Sequence, residues 1–236
     1  MSRESLDGNP VSSVGDFEKI LDVPYYSQFT EVENHGIEEH WKRRGCGLLC
    51  LKMVMDYWRE QVGTPSPPLP ELIETALEEQ AYDDHPRGVI HDGLIRTAKR
   101  YGLIAWRRRW LHTPQELVYF QSQGWTPQAI KAIAGQTARE GIMTLTNAIV
   151  ADIPVMVSVP KEFNPEVGKQ HLVVLTGIKK DALLGVYRGF YVNDPYNPKR
   201  GPSRSERKHE YVTQKTFIKN WIRQGIFVIP PSHKFP

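Results

Sequence analysis

The sequence predicts an α+β domain in which helices precede an antiparallel sheet. Helical patterns and capping residues dominate the first two thirds of the 236-residue chain, and the last third holds short runs of β-branched and aromatic residues. Helices followed by strands favour an antiparallel sheet. No internal repeat is recognisable, so we expect one domain over residues 19–236. A flexible lead-in, rich in Ser, Gly and acidic side chains, is expected over residues 1–18.

The helical part can be divided at its start and stop signals. Pro24 keeps its surroundings out of a helix or central strand, Pro70 suits the first position of a helix, and Asp92 is a candidate N-cap. The expected elements are an extended segment 21–28, a helix from Cys46, a Pro-rich connector 64–70, helices 71–80 and 93–100, and two or three short helices between residues 113 and 151.

The strand-rich part is read from its β-branched and aromatic runs. The expected strands are 105–111, 153–159, 172–178, 185–192 and 226–229, with a short helix at 213–222. In the first strand, Trp106 and Trp110 alternate with arginines, a pattern that could bind nucleic acid. The net charge is only +3, from 30 basic and 27 acidic residues, which favours a half-buried strand with a solvated basic face. The basic loop 197–208 is expected to be solvated, or else to contact an acidic partner.

The strongest functional signal is Gly45-Cys46-Gly47, at the start of a largely apolar helix. The charged residues Lys52, Asp56 and Arg59 recur at i, i+4 and i+7, which predicts one solvated stripe on a helix otherwise buried. A thiol in the first turn feels the positive end of the helix dipole, which lowers its pKa, and flanking glycines allow close approach to the sulfur. Cys46 is therefore a candidate nucleophile, with small-volume core filling as the alternative.

A base, an acid and an amide occur at fitting places elsewhere in the chain. His171 opens one expected strand and Asp194 closes another, so both stand where a side chain can reach a cleft. An imidazole beside a thiol takes its proton, and a carboxylate on the other ring nitrogen fixes the tautomer. Gln28, together with the backbone N–H of Cys46, is the best candidate to bind a developing oxyanion.

Four pieces of the chain, in order and at sensible spacings, resemble the papain-like cysteine peptidases of family 39. This is the double-glycine, bacteriocin-leader-processing group with its stand-alone relatives. The pieces are Leu21-Asp22-Val23-Pro24-Tyr25-Tyr26-Ser27-Gln28, Gly45-Cys46-Gly47 with Met53 and Tyr57, His171-Leu172-Val173-Val174-Leu175-Thr176-Gly177, and Tyr191-Val192-Asn193-Asp194-Pro195. The similarity extends over about residues 21–229.

The resemblance implies a papain-like peptidase domain in which a central nucleophile helix packs on the C-terminal sheet. It implies Cys46 as nucleophile, His171 as base, Asp194 as orienting acid and Gln28 as oxyanion-hole donor. One departure is Gln170, because members usually carry a small residue, often glycine, before the histidine.

The expected activity is therefore peptide-bond hydrolysis through a Cys-His-Asp triad and an acyl-enzyme intermediate. The alternatives are an inactive peptide-binding relative, and an acyltransferase or amidase on the same site. A zinc site of Cys46, Cys50 and His171 is disfavoured because Cys-x₃-Cys on one helix is not a usual ligand spacing, so no cofactor or metal is expected. Cys50 is read as core filling. The other histidines are expected at the surface or at caps, although His91 could line the cleft: His35, His40, His85, His91, His112, His209 and His233.

The expected partner is a peptide or protein substrate, without nucleic acid or membrane. No segment approaches eighteen consecutive apolar residues, and the N-terminus lacks the apolar core of a signal peptide. The two cysteines are four positions apart, a spacing unsuited to a disulfide, so a reducing compartment and hence the cytoplasm is expected.

Overall fold

Helices dominate the first half of the chain and strands the second. The computed structural model describes residues 16–62, 66–83, 88–167, 169–183, 185–196 and 208–235. The helices are α1 (Gln28–Asn34), α2 (Trp41–Arg44), α3 (Cys46–Val62), α4 (Leu69–Glu78), α5 (His91–Arg100), α6 (Pro114–Ser122), α7 (Pro127–Val150) and α8 (Gln214–Asn220). The strands are β1 (Phe17–Ile20), β2 (Ile104–Arg109), β3 (Val155–Pro160), β4 (Gln170–Lys180), β5 (Tyr187–Asn193), β6 (Glu210–Thr213) and β7 (Gln224–Ile229).

The described strands form one antiparallel sheet in the order β2-β7-β3-β4-β5-β6. β1 pairs antiparallel with the end of β4, beyond the part of β4 that β3 covers. The central strands β3 and β4 are almost wholly buried, as expected for their near-continuous β-branched runs. The predicted α+β class with an antiparallel sheet is confirmed.

α3 is the central helix and packs against β4, β3 and β7. Its Leu48, Leu51, Val54 and Trp58 are at most 1% exposed, and the Trp58 indole donates a hydrogen bond of 2.9 Å to the Val228 carbonyl. Burial of each such apolar side chain contributes about 1.5–3 kcal/mol relative to exposure. The helix that carries Cys46 is thus a rigid part of the core.

The predicted solvated stripe on α3 is wrong for two of its three residues. Lys52 and Asp56 form an ion pair of 2.8 Å whose side chains are only 15% and 8% exposed. The Tyr26 hydroxyl donates a hydrogen bond of 2.6 Å to Asp56, so the segment before α1 covers this face of the helix. Arg59 is exposed, as predicted.

Instead of two or three short helices, residues 113–151 form the short α6 and the single 24-residue α7. Each begins at a Thr-Pro pair, where Thr113 and Thr126 accept capping hydrogen bonds from the first turn. α7 continues through Gly141. Position 141 is glycine because a side chain there would meet Trp221 at 2.5 Å and Trp110 at 2.9 Å. This glycine permits close packing and does not end the helix.

Two smaller points concern the start of α5 and the burial of β2. α5 begins at His91 with Ile90 as its N-cap, and the predicted cap, Asp92, pairs instead with Arg107 at 3.1 Å. In β2, Trp106 stacks on Phe227 of β7 at 5.2 Å, so this strand is half-buried, as predicted.

The proposed N-terminal boundary, between residues 18 and 19, falls within β1. Residues 1–15 of the lead-in lie outside the described residues, and Phe17 and Glu18 pair with Lys180 and Lys179 of β4. Residues 64 and 65 of the Pro-rich connector and 197–207 of the basic loop also lie outside them. No helix within the described ranges is long and apolar enough to cross a membrane.

Candidate active site

Cys46 is the first residue of α3 and is 9% exposed. Its neighbours are glycines because other groups come very close to their α-carbons. A side chain at Gly45 would lie 2.8 Å from the Trp41 carbonyl oxygen, and one at Gly47 would lie 2.8 Å from a Val89 methyl group. The glycines therefore allow α2 and the segment before α5 to pack tightly around the thiol.

His171 and Asp194 meet because β4 and β5 are adjacent antiparallel strands. His171 is the second residue of β4 and Asp194 directly follows β5. The distance from His171 Nε2 to Asp194 Oδ1 is 2.6 Å, and both side chains are at most 4% exposed. Asp194 Oδ1 also accepts a hydrogen bond of 2.8 Å from the Tyr196 N–H. Since Nε2 faces Asp194, Nδ1 is the nitrogen left to interact with Cys46.

The electrostatics of Cys46 and His171 are coupled. Burial alone would raise the pKa of the Cys46 thiol, but the hydrogen bond and charge of His171 and the backbone amides of Leu172 and Gly47 lower it below its ordinary value. Burial alone would lower the pKa of His171, but the charge and hydrogen bond of Asp194, aided by Cys46, raise it. Both shifts favour a thiolate–imidazolium pair.

Cys50 lies one turn further along α3 and is 0% exposed. Its thiol donates a hydrogen bond of 3.3 Å to the Leu172 carbonyl. Burial raises the pKa of Cys50 well above its ordinary value, with smaller contributions from Cys46 and Asp194. The two thiols therefore have opposite shifts, and Cys50 is core filling, as predicted.

Gln28 lies beside Gly45, the residue that precedes Cys46. It begins α1 rather than ending an extended segment, and Ser27 accepts the capping hydrogen bond of that helix. Its backbone N–H donates to the Pro195 carbonyl at 2.9 Å, which ties α1 to the loop after β5. Its side chain is buried, and its Cγ lies 4.0 Å from the position that a β-carbon would occupy at Gly45. The amide donates one hydrogen bond of 3.3 Å to the Lys42 carbonyl, which leaves a second N–H available.

Cys46 and His171 line the same cleft, whose volume is about 820 Å³. Its described walls are formed by His40, Arg43, Arg44, Cys46, Asp83, Gly88, Val89, Ile90, His91, Ser158, Lys169, Gln170, His171 and Leu172. His91 thus lines the cleft, as the sequence allowed, and burial lowers its pKa. His40 also lines it; as expected, it is exposed and stands at the N-cap position of α2, and His85 lies outside the described residues.

The residues considered for zinc are differently arranged. Within the described ranges, no three His, Cys, Asp or Glu side chains form a group that could hold a metal ion. The Cys50 thiol is directed at a backbone carbonyl, and the His171 ring lies between Cys46 and Asp194. The arrangement suits proton transfer between a thiol and an imidazole.

Sequence and structure comparisons identify related proteins. The sequence model of the Peptidase_C39 like family matches residues 20–226. A putative C39-like peptidase from Bacillus anthracis has a similar structure, with 17% identity, coverage of 93% of this chain and 100% of that chain, and a TM-score of 0.55. A double glycine motif protease from an AMS/PCAT transporter, solved with its leader peptide, has 16% identity, 90% and 94% coverage, and a TM-score of 0.47.

A third solved structure, the peptidase domain of Streptococcus ComA, has 15% identity, 80% and 93% coverage, and a TM-score of 0.44. No curated protein matches the chain. The family match covers most of the chain, and the likeness to the Bacillus anthracis structure shows the fold. The family match indicates a cysteine peptidase. The chain belongs to the Peptidase_C39 like family and has its mixed fold of helices and antiparallel sheet.

Proposed function

We propose that the protein is a cysteine peptidase that hydrolyses a peptide bond through Cys46, His171 and Asp194. The observation that carries this proposal is the buried His171–Asp194 contact of 2.6 Å beside a thiol whose pKa is lowered, in a cleft of about 820 Å³. A nucleophile, its base and the group that orients the base are the minimum set for this chemistry.

The reaction begins when the Cys46 thiolate attacks the carbonyl carbon of the scissile bond. The oxyanion accepts hydrogen bonds from the backbone N–H of Cys46 and from the free N–H of the Gln28 amide. His171 then gives its proton to the leaving amine, the C–N bond breaks, and a thioester on Cys46 remains. Water attacks the thioester while His171 takes one of its protons, and the C–S bond breaks, which releases the carboxylic acid and restores the thiolate–imidazolium pair.

Asp194 holds the imidazole in the tautomer that presents Nδ1 to the sulfur and stabilises the imidazolium that forms. The Tyr196 N–H in turn fixes the carboxylate at 2.8 Å. We place the activity in the cytoplasm, because Cys46 and Cys50 are free thiols and a nucleophilic thiol acts only when it is reduced.

A peptide-library cleavage profile tests the proposal. Wild-type protein should cleave a subset of peptides, Cys46→Ala should cleave none, and His171→Ala should lose activity by several orders of magnitude. Cys50→Ala is the matched control, because it removes the other thiol of the same helix and should retain cleavage. Equal cleavage by wild type and Cys46→Ala would contradict the proposal, as would loss of cleavage in well-folded Cys50→Ala.

A further inference from the structure

The described wall of the cleft is unevenly charged. It contains Arg43, Arg44 and Lys169 against one carboxylate, Asp83. The thiolate of Cys46 and the imidazolium of His171 neutralise each other. Among the charged side chains of the described wall, three basic groups thus face one acidic group.

Arg43 stands three residues before the nucleophile, in α2, and its side chain is exposed. No carboxylate of the described residues lies within ion-pair distance of it. The preceding residue differs, because Lys42 pairs with Glu33 at 3.0 Å and with Glu39 at 2.8 Å. Lys42 therefore holds α1 and α2 together, whereas the guanidinium of Arg43 remains available to a ligand.

Lys169 reaches the cleft from the opposite element. It stands two residues before His171, is exposed, and has no ion-pair partner among the described residues. Between them lies Gln170, the departure from the small residue usual in the family, whose exposed side chain also lines the cleft. Arg44, in contrast, is held by the Asp83 carbonyl at 2.5 Å and lies over the Tyr82 ring. The available donors therefore stand three residues before the thiol and two residues before the imidazole, and both line the cleft.

We infer that the cleft takes a peptide that carries a carboxylate within a residue or two of the scissile bond. The inference rests on the proposed peptidase function and names its substrate class. A neutral or cationic peptide would desolvate Arg43 and Lys169 without compensation, whereas a carboxylate forms charge-assisted hydrogen bonds with them. The Gln170 amide supplies a further donor. The carboxylate can belong to an Asp or Glu side chain or to the free C-terminus of a short substrate.

Binding to the inactive Cys46→Ala protein tests the inference separately from catalysis. The probes are fluorescein-labelled, amidated Ala-Gly peptides that carry Glu, Gln or Lys at two central positions, and the Gln peptide with a free C-terminal carboxylate. Fluorescence anisotropy should show about tenfold tighter binding of the Glu peptide than of the Gln peptide, weakened by added salt, as two partly exposed ion pairs predict. Tighter binding of the free-acid Gln peptide alone would assign the carboxylate to the C-terminus.

The double variant with Arg43→Gln and Lys169→Gln should lose the preference for carboxylate peptides. The double variant with Arg43→Glu and Lys169→Glu should instead prefer the Lys peptide. The matched control is Arg139→Gln with Lys219→Gln, which removes the same charge from exposed positions on α7 and α8 that do not line the cleft. The control should retain the preference.

The possible outcomes distinguish a failure of this inference from a failure of the proposed peptidase function. Equal affinity for all four peptides, no measurable binding of either carboxylate peptide, or an equal loss in the control pair would overturn the inference. Cleavage of library peptides without any preference for acidic residues would also overturn it, while the peptidase function stood. Preferential binding of carboxylate peptides without cleavage of any peptide would support the inference and contradict the peptidase function.

Discussion

Replacing Asp194 by asparagine removes the negative charge beside His171 and retains the shape of the side chain. The amide oxygen can still accept hydrogen bonds from His171 Nε2–H and from the Tyr196 N–H, which are 2.6 Å and 2.8 Å from Asp194 Oδ1. The tautomer of His171 should therefore persist. What changes is the stabilisation of the imidazolium, and through it that of the Cys46 thiolate.

The size of the effect follows from the strength of the lost contact. A hydrogen bond to a charged group contributes about 1.5–3 kcal/mol. At 1.36 kcal/mol per pKa unit, this corresponds to about 1–2 units. Asp194 raises the pKa of His171, and His171 lowers that of Cys46, so removal of the charge lowers the first and raises the second. The population of the thiolate–imidazolium pair, and kcat/KM at neutral pH, should fall about 10- to 100-fold.

The assay is the pH dependence of the alkylation rate at Cys46, followed by peptide mass spectrometry. In the wild type, the rate should rise with pH below the ordinary thiol value of about 8.5, because the folded-state pKa is lowered. In Asp194→Asn, the same rise should occur about 1–2 pH units higher. The matched control is Asp56→Asn, which removes another buried carboxylate of an ion pair, with Lys52, and should lower stability without moving the curve.

An alkylation profile that is identical in wild type and Asp194→Asn would refute this reasoning. It would mean that the charge of Asp194 does not change the pKa of the Cys46 thiol through His171. The same shift in Asp56→Asn would refute it as well, because the effect would then come from general loosening of the fold.

Three further changes have distinct expected results. Gln28→Ala should lower kcat about 10²–10³-fold and leave the alkylation rate of Cys46 unchanged, since alkylation forms no oxyanion; a parallel loss of both would contradict the assigned role. Gly47→Ala should destabilise the fold by about 1–3 kcal/mol in urea denaturation, because its new methyl group lies 2.8 Å from Val89, and Val89→Ala should restore part of the loss; unchanged stability would contradict the packing. Cys50→Ala should cost about 0.5–3 kcal/mol of stability and retain the activity of folded molecules, whereas complete inactivity would contradict its role as core filling.

The sheet and the positions of His171 and Asp194, two members of the proposed triad, could be predicted from the sequence. The strands β3, β4 and β7 consist of β-branched and apolar runs, which only a buried sheet accommodates. His171 and Asp194 stand at strand ends, so that pairing of β4 with β5 brings them together. A strand end is recognisable from local composition, and for these residues that was sufficient.

Other elements depend on partners that are distant in the chain. The edge strands β1 and β6 have only four residues each and acquire their conformation by pairing with β4 and β5. Lys52 and Asp56 follow a pattern typical of an exposed stripe, but Tyr26 covers them from a segment far away in sequence. Periodicity reports which residues share a face of a helix, and the tertiary fold decides what lies against that face.

The cleft wall was not predictable for the same reason. His40, Arg43 and Lys169 are ordinary polar residues of loops and of a short helix, with no local pattern that indicates a ligand. They become one surface only when α2 and the start of β4 are placed on either side of Cys46. Substrate preference therefore has to be inferred from the assembled cleft.

The most direct test of the central claim compares the two thiols within one molecule. Native protein is treated with iodoacetamide at neutral pH, and alkylation of Cys46 and of Cys50 is followed by peptide mass spectrometry. Cys46, with a lowered pKa in the cleft, should be modified at least about 100-fold faster than Cys50, whose pKa burial raises, and His171→Ala should remove most of that advantage. Equal rates at the two cysteines, or a Cys46 rate that does not depend on His171, would contradict the assignment of Cys46 as the activated nucleophile.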